Sequence, residues 1–275
     1  MLPTRELLLG ASYPNSLAAV LNLAAISLRT YQPQWSGFLT APEQEECLNR
    51  LNQLIELTVI SNGGFPQAER RRLRLERSEN STSDPASNQQ TPQELPEQMP
   101  PAEQFKLLEI SGNFLFDPAE AIDFRQALQA DGLGDAELGD VLVRGDRGAL
   151  AVVSPLAAIA LIGKPIQVRT VLCAVAETGW ERLPSQMPKP KQITSVEASL
   201  RLDAVASAGF AISRNRMAEL IRSGKVRIDW KVITNPSREL KPEERVQLEG
   251  RGELKLESAM LTKRDRWRLS MLRNF

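Results

Sequence analysis

Residues 78–103 contain only two large apolar side chains, Leu95 and Met99, among serines, prolines, glutamines, asparagines and glutamates. Such a stretch cannot bury enough apolar surface to offset the entropy of ordering it. It reads as a disordered linker over 78–104. A second break, Pro184 to Lys191, holds several prolines and lysines without pattern and reads as a short stiff linker within 181–192. A chain of 275 residues suggests two or three domains, and these breaks leave three blocks: 1–77, 105–180 and 193 to the end. The expected class is α+β.

The first block reads as mostly helical through about residue 60. Leu17, Val20, Leu21 and Ala24 recur at helical spacing, and Tyr31 to Gly37 is a break. Thr40 is an N-cap with Pro42 behind it, and Glu43, Glu45 and Glu46 suit the positive end of a helix. Leu48, Leu51, Leu54 and Ile55 form its expected buried face. A turn with two glycines, Ser61 to Pro66, leads to Arg70, Arg71, Arg72 and Arg74, a charged run that becomes strand-like. These arginines could contact phosphates or form a solvated junction.

The second block carries periods of a βαββαβ unit. Phe105–Ile110 is a strand, and Asp117-Pro118 opens a helix with Ala121, Phe124 and Leu128. Asp140–Val143 and Ala149–Val153 form a hairpin. Ser154-Pro155 caps a second helix, and Val168–Val175 is the last strand. That order suggests a ferredoxin-like sheet, the layout of RNA-recognition modules. The third strand, Arg147 to Val153, lacks the aromatic residues that stack bases in such modules, which favours a scaffold or protein-docking role. Asp131, Asp135, Glu137 and Asp140 lack the calcium-loop spacing and read as solvated acids.

The third block concentrates positive charge. The whole chain has 34 basic and 34 acidic residues, but from Val196 onward there are 17 against 11. A basic end on an otherwise acidic chain suggests a polyanionic partner. Residues 199–252 read as two short helices and a few strands. The first helix runs from about Glu197 to Ala208, closed by Gly209. Ser213 caps the second, in which Met217, Leu220 and Ile221 make one apolar stripe and Gly224 ends the helix. Val226 to Ile228 is a strand that Asp229-Trp230 turns back to Val232-Ile233.

This pattern resembles the S4-type RNA-binding domain. The matching residues are Arg201-Leu202-Asp203, Gly209-Phe210, Ser213-Arg214, Leu220-Ile221, Gly224-Lys225-Val226, Pro236-Ser237 and Val246-Gln247-Leu248. Asp229 departs from the asparagine found in many members. The resemblance implies an S4-type unit over 193–258 that holds structured RNA with its second helix and hairpin. Arg201, Arg214, Arg216, Arg222, Lys225, Arg227 and Lys231 would pair phosphates, with Ser213 orienting the helix and Trp230 stacking or bracing. Residues 259–275 read as a basic tail in which Lys263, Arg264, Arg266 and Trp267 could lie on RNA, or Trp267 could pack back on the protein. With Arg70, Arg71 and Arg72 these are secondary candidates.

Phe38-Leu39-Thr40, Gly63-Gly64-Phe65-Pro66 and Ala68-Glu69-Arg70-Arg71 resemble the N-terminal signature of YlmH-like proteins, and Gly139-Asp140-Val141-Leu142 recurs in that family. The layout is that of the subgroup called photosystem II S4-domain proteins. The resemblance implies binding to the large ribosomal subunit, through rRNA or tRNA, in rescue of stalled translation or in cell division. An assembly role at photosynthetic complexes, with a protein partner on the middle domain, is the alternative.

The chain has no histidine, so Ser-His-Asp and Cys-His catalysis and histidine metal sites are excluded. Cys47 and Cys173 lack ligand-type neighbours, and no glycine-rich turn follows a strand as a dinucleotide fold requires. No apolar run reaches the length of a membrane span. The expectation is a cytoplasmic binding protein without catalytic activity, cofactor or metal.

Overall fold

The computed structural model describes residues 2–78, 103–183, 190–248 and 251–274. The 78–104 linker thus lies almost wholly outside the described residues. Two compact units divide the chain, Met1–Ser185 and Gln186–Phe275.

In the first unit, α1 (Thr4–Leu8) and α2 (Pro14–Thr30) precede β1 (Gln34–Trp35), α3 (Ala41–Leu51), β2 (Leu57–Asn62) and β3 (Arg72–Arg77). The α2 stripe Leu17, Val20, Leu21 and Ala24 is buried, as its spacing predicts, against Leu73 and Leu75 of β3. At Thr40 a capping box closes the start of α3, with the Glu43 carboxylate accepting the Thr40 N–H at 2.8 Å. The block is less helical than expected. The β-branched run Thr58-Val59-Ile60 forms β2, and the sheet order is β1-β3-β2. Because α3 stops at Leu51, Ile55 falls outside its apolar face and is 89% exposed.

The rest of this unit is β4 (Lys106–Ser111), α4 (Ala121–Ala130), β5 (Leu138–Val143), β6 (Gly148–Val153), α5 (Pro155–Leu161), β7 (Ile166–Val168) and β8 (Val171–Glu177). Sheet order is β5-β6-β4-β8-β7, antiparallel throughout. Its first four strands have the ferredoxin-like arrangement that the βαββαβ order predicts. The expected last strand is instead a hairpin, turning at Arg169 (φ 53°). Asp117 does not cap α4; its carboxylate accepts from Arg169 Nε at 2.7 Å and from Thr170, while Glu120 is the N-cap. Ser154 caps α5 as read, accepting from the Ala157 N–H.

Alternate residues of β4 and β6 face the two helices. The others, Leu107, Leu150 and Val152, are buried as well. They look toward the N-terminal block, where a Cβ at Gly64 would come within 3.1 Å of both Val152 and Trp180, and one at Gly139 within 2.7 Å of Phe38. Phe105 sits edge-on to Trp35 and Phe38, with ring centroids 5.6 and 5.9 Å apart. The sheet face that RNA-recognition modules use is therefore packed against this chain's own N-terminal block over its central strands.

The second unit contains β9 (Lys191–Glu197), α6 (Leu202–Phe210), α7 (Arg214–Arg222), β10 (Val226–Ile228), β11 (Lys231–Val232), β12 (Arg245–Leu248), β13 (Gly252–Leu261) and β14 (Trp267–Asn274). Its sheet runs β11-β10-β12-β13-β14-β9. Two boundaries differ from expectation. The basic tail expected over 259–275 is, through Asn274, part of the sheet: β14 pairs with both β13 and β9 along its length. Glu197 belongs to β9, and Gly209 lies inside α6, which ends at Ala211 in the left-handed region (φ 53°). Gly209 is needed for close approach, because a Cβ there would sit 2.1 Å from Leu254 Cδ2 of the sheet.

Candidate nucleic-acid interface

The helix pair is fixed from below by a shared core. Leu202, Val205, Ala206 and Phe210 of α6 meet Met217 and Ile221 of α7 and the sheet residues Val226, Ile228, Val246 and Leu254. Ser213 accepts from the Arg216 N–H at 3.4 Å, capping α7. At the other end the Lys225 N–H bonds Leu220 O at 3.1 Å and the Gly224 N–H bonds Ile221 O at 3.0 Å, with Gly224 at φ +76°. These are the paired bonds of a Schellman end. They place Lys225 directly after the helix C-terminus that Arg222 occupies, where cations are favoured by the dipole.

On β10, Val226 and Ile228 are buried and Arg227 points out. Asp229 (φ 46°) and Trp230 (φ 67°) make the two-residue turn to β11. Aspartate tolerates that conformation much as asparagine does. Its carboxylate also accepts from the Arg245 backbone and Nε, both at 3.3 Å. Buried Gln247 braces the turn: its Oε1 accepts the Trp230 N–H at 3.2 Å, and its Nε2 donates to Glu253 at 2.9 Å. Sequence reasoning placed no role on Gln247, although a glutamine between Val246 and Leu248 in a strand buried on both sides is a detectable oddity.

The seven expected phosphate-pairing cations separate into groups. Arg201 and Arg214 converge on Asp203, at 2.9 and 3.1 Å. Burial pushes the Asp203 carboxyl up, but hydrogen bonds and charge from Arg201 and Arg214 outweigh it and hold the group below the usual carboxylate range. Arg216 pairs with Glu219 along α7. Arg222, Lys225, Arg227 and Lys231 are exposed and make no ion pair among the described residues. Asp203, like Gln247, had no role assigned from the sequence, although it stands in the Arg201-Leu202-Asp203 triplet.

The Asp203 clamp has a pH signature. A carboxyl whose pKa is depressed by folding contributes stability above its unfolded pKa, about 3.9, and loses it as pH falls through the folded value. Asp203→Asn is expected to lower stability by about 1–3 kcal/mol at neutral pH, in the range of hydrogen bonds to charged groups. The gap to the parent should close below about pH 4, measured by urea unfolding at stepped pH.

The secondary candidates behave in opposite ways. Arg70 is buried, donates to the carbonyls of Leu138 (2.9 Å) and Asp135 (2.8 Å), and pairs with the Asp135 carboxylate. Asp140 accepts the backbone N–H groups of Glu69 and Arg70, although burial pushes its own carboxyl upward. Arg71 donates to the carbonyls of Ala68 and Pro66. Arg72 donates to Ser36 and Gln104 and lies over the rings of Trp35, Phe38 and Phe105. These arginines spend donors on protein carbonyls inside the unit, and the solvated junction that was the alternative to phosphate contact is not what forms here. Asp135 and Asp140, read as solvated acids, are partners of Arg70, the first through its guanidinium and the second through its backbone N–H. Lys263, Arg264 and Arg266 are exposed, while Trp267 packs on the core of the second unit.

The two thiols are buried in separate cores, Cys47 beside α2 and Cys173 within the five-stranded sheet. Desolvation, with Glu46 and Glu43 nearby, pushes the Cys47 thiol up to about 12, so it stays protonated at neutral pH. No group of three metal-ligating side chains occurs among the described residues. No helix among them is long and apolar enough to cross a membrane.

Residues 13–80 match the family model described as YlmH, N-terminal, and residues 200–246 match the S4 domain. The chain joins a YlmH N-terminal domain to an S4 domain. It is 24% identical over 247 residues to the ribosome-associated protein quality control protein P2 of Bacillus subtilis (strain 168), covering 88% of each chain. Among solved structures, the cell division protein ylmH from Streptococcus pneumoniae aligns at 15% identity over 63% of this chain and 95% of that one, with a TM-score of 0.44, a likeness too distant to bear on the fold. The S4 match ends at Val246, so β13 and β14 lie beyond it.

Proposed function

We propose that this chain is a non-enzymatic RNA-binding protein that holds structured rRNA or tRNA on the large ribosomal subunit, acting in the cytoplasm in translation or ribosome rescue. One observation carries the reading. Arg222, Lys225, Arg227 and Lys231 stand exposed along one helix end and the hairpin beside it, without an ion pair among the described residues, while Asp203 holds Arg201 and Arg214 at the other end of α7. Cations without protein partners can neutralise phosphates, and release of the condensed counterions drives binding. The S4 domain and the ribosome-associated relative support the choice of RNA and of the ribosome. No observation on the described residues favours the photosystem alternative.

Co-sedimentation with purified large subunits across a salt series tests this. Association should weaken steeply, with log K falling against log salt by about 0.9 per phosphate neutralised. Failure to co-sediment at low salt would refute the reading.

A further inference from the structure

The second unit carries another cationic surface, outside the S4 match. β12 stops at Arg245, opposite Lys255, but β13 continues to Leu261, opposite Trp267 of β14. Six residues of extended strand span about 20 Å, so the β13–β14 ribbon projects well past the smaller strands, supported on one side only by β9 up to Glu197. Its closing turn is ordered: the Thr262 N–H bonds Arg266 O at 2.7 Å, and Asp265 adopts φ 53°.

Lys263, Arg264, Arg266 and Arg268 are all exposed there and make no ion pair among the described residues. Asp265 is the one carboxylate within the turn. Glu197, opposite Trp267, accepts from Ser195 Oγ. Four cations thus stand against one acid over residues 262–268. Val196, Thr262, Lys263, Arg264 and Arg266 line a shallow open groove at this tip. Trp267 is turned to the core, so no exposed aromatic ring offers a base a stacking platform. The groove suits phosphates rather than bases.

The register shows which end of the sheet this is. β10 runs from Val226, opposite Leu248, to Ile228, opposite Val246, and so heads toward Arg245 and the Asp229–Trp230 turn. β13 heads the same way as it passes from Gly252 to Lys255 and on to Leu261. The hairpin carrying Lys231 and the ribbon tip therefore lie at the same end of one sheet.

We propose that the β13–β14 tip is a second phosphate-binding site for RNA, sequence-independent and acting together with the α7–β11 surface on one folded RNA. The proposal rests on the reading that this unit holds RNA. Charge complementarity selects the partner, and Lys231 of the first surface, beside the Asp229–Trp230 turn, shares the tip's sheet end, while Arg222 and Lys225 precede Val226 at the other end. An anionic lipid surface is the competing occupant, since Val196, Met260 and Leu261 expose apolar side chains beside the cations.

The test uses the full chain with Lys263→Ala, Arg264→Ala and Arg266→Ala combined, alongside Lys225→Ala/Arg227→Ala. The probes are a duplex-containing RNA hairpin of generic sequence and phosphatidylserine vesicles. All five positions are exposed, and an unchanged melting temperature checks that each variant folds. The tip variant is expected to lower the slope of log K against log salt by about 2–3 on the hairpin, near 0.9 per lost contact, without altering vesicle binding. An unchanged slope for the tip variant, with a reduced one for Lys225→Ala/Arg227→Ala, overturns the tip and leaves the first surface standing. A reduced slope for the tip variant alone keeps the tip as a phosphate site but overturns its joint action with the first surface. No change in either variant overturns both. Tip-dependent binding to vesicles without a change on RNA overturns the RNA assignment.

Discussion

Replacing Lys225, Arg227 and Lys231 together by glutamate is expected to lower affinity for large ribosomal subunits by about 100-fold or more near physiological salt. The protein should melt at its normal temperature. All three side chains are exposed, and none makes an ion pair among the described residues. The set is chosen against the more obvious Arg214. Reversing Arg214 would put a second carboxylate beside buried Asp203, which it meets at 3.1 Å. Lost binding in that variant would mix a missing phosphate contact with a disturbed α6–α7 junction. Retained affinity in the triple variant, measured by co-sedimentation with folded protein, would remove α7–β11 as the contact surface.

Gly148→Ala should give the largest loss of stability of any single methyl addition in the first unit, about 4 kcal/mol or more. Gly148 begins β6 at φ +116°, a region that alanine enters only with strain. A Cβ there would lie 1.9 Å from the carbonyl oxygen of Ile110 on the neighbouring strand. That oxygen is backbone in the middle of the sheet, so it cannot move aside as a side-chain end could. The loss should appear in urea unfolding as a lower midpoint. Gly145→Ala, three residues earlier, is a useful contrast. It also has positive φ (+64°), but a Cβ there meets nothing within 4 Å, so only the conformational cost of about 1–2 kcal/mol remains. Equal effects in the two variants would mean that the contact with Ile110 is not the cause.

What could be read from the sequence follows the range of the interactions. Local signals sufficed for the caps at Thr40, Ser154 and Ser213, for the Leu17 and Met217 stripes, and for the element order from β4 to α5, because each depends on residues a few positions apart. Gly209 was visible as a special position but misassigned. A glycine that ends a helix and one that lets a sheet approach look alike until Leu254 is placed beside it. The pairing of β9 with β14 joins residues as far apart in the chain as Lys191 and Arg273, which is why 259–275 reads as a tail.

The two arginine-rich stretches make the same point about the site. Arg70 to Arg72 and Lys263 to Arg266 are equally basic on paper. The acceptors that Arg70 takes up lie 65 or more residues downstream, on Leu138 and Asp135, while nothing among the described residues pairs with Lys263, Arg264 or Arg266. Charge marked both stretches, and only the tertiary contacts separate an internal strut from an open surface. The same holds within the S4 pattern, where Asp203 takes two of seven similar cations, Glu219 takes Arg216, and four are left without an ion pair among the described residues.

Ultraviolet crosslinking of the full chain to large ribosomal subunits, followed by mass spectrometry of the RNA-linked peptides, would locate the RNA-contacting residues. Crosslinked peptides are expected within residues 213–232, with the ribbon tip as a second group around 262–268. Crosslinks confined to the first unit, with none in the S4 unit, would contradict RNA binding by the S4 unit.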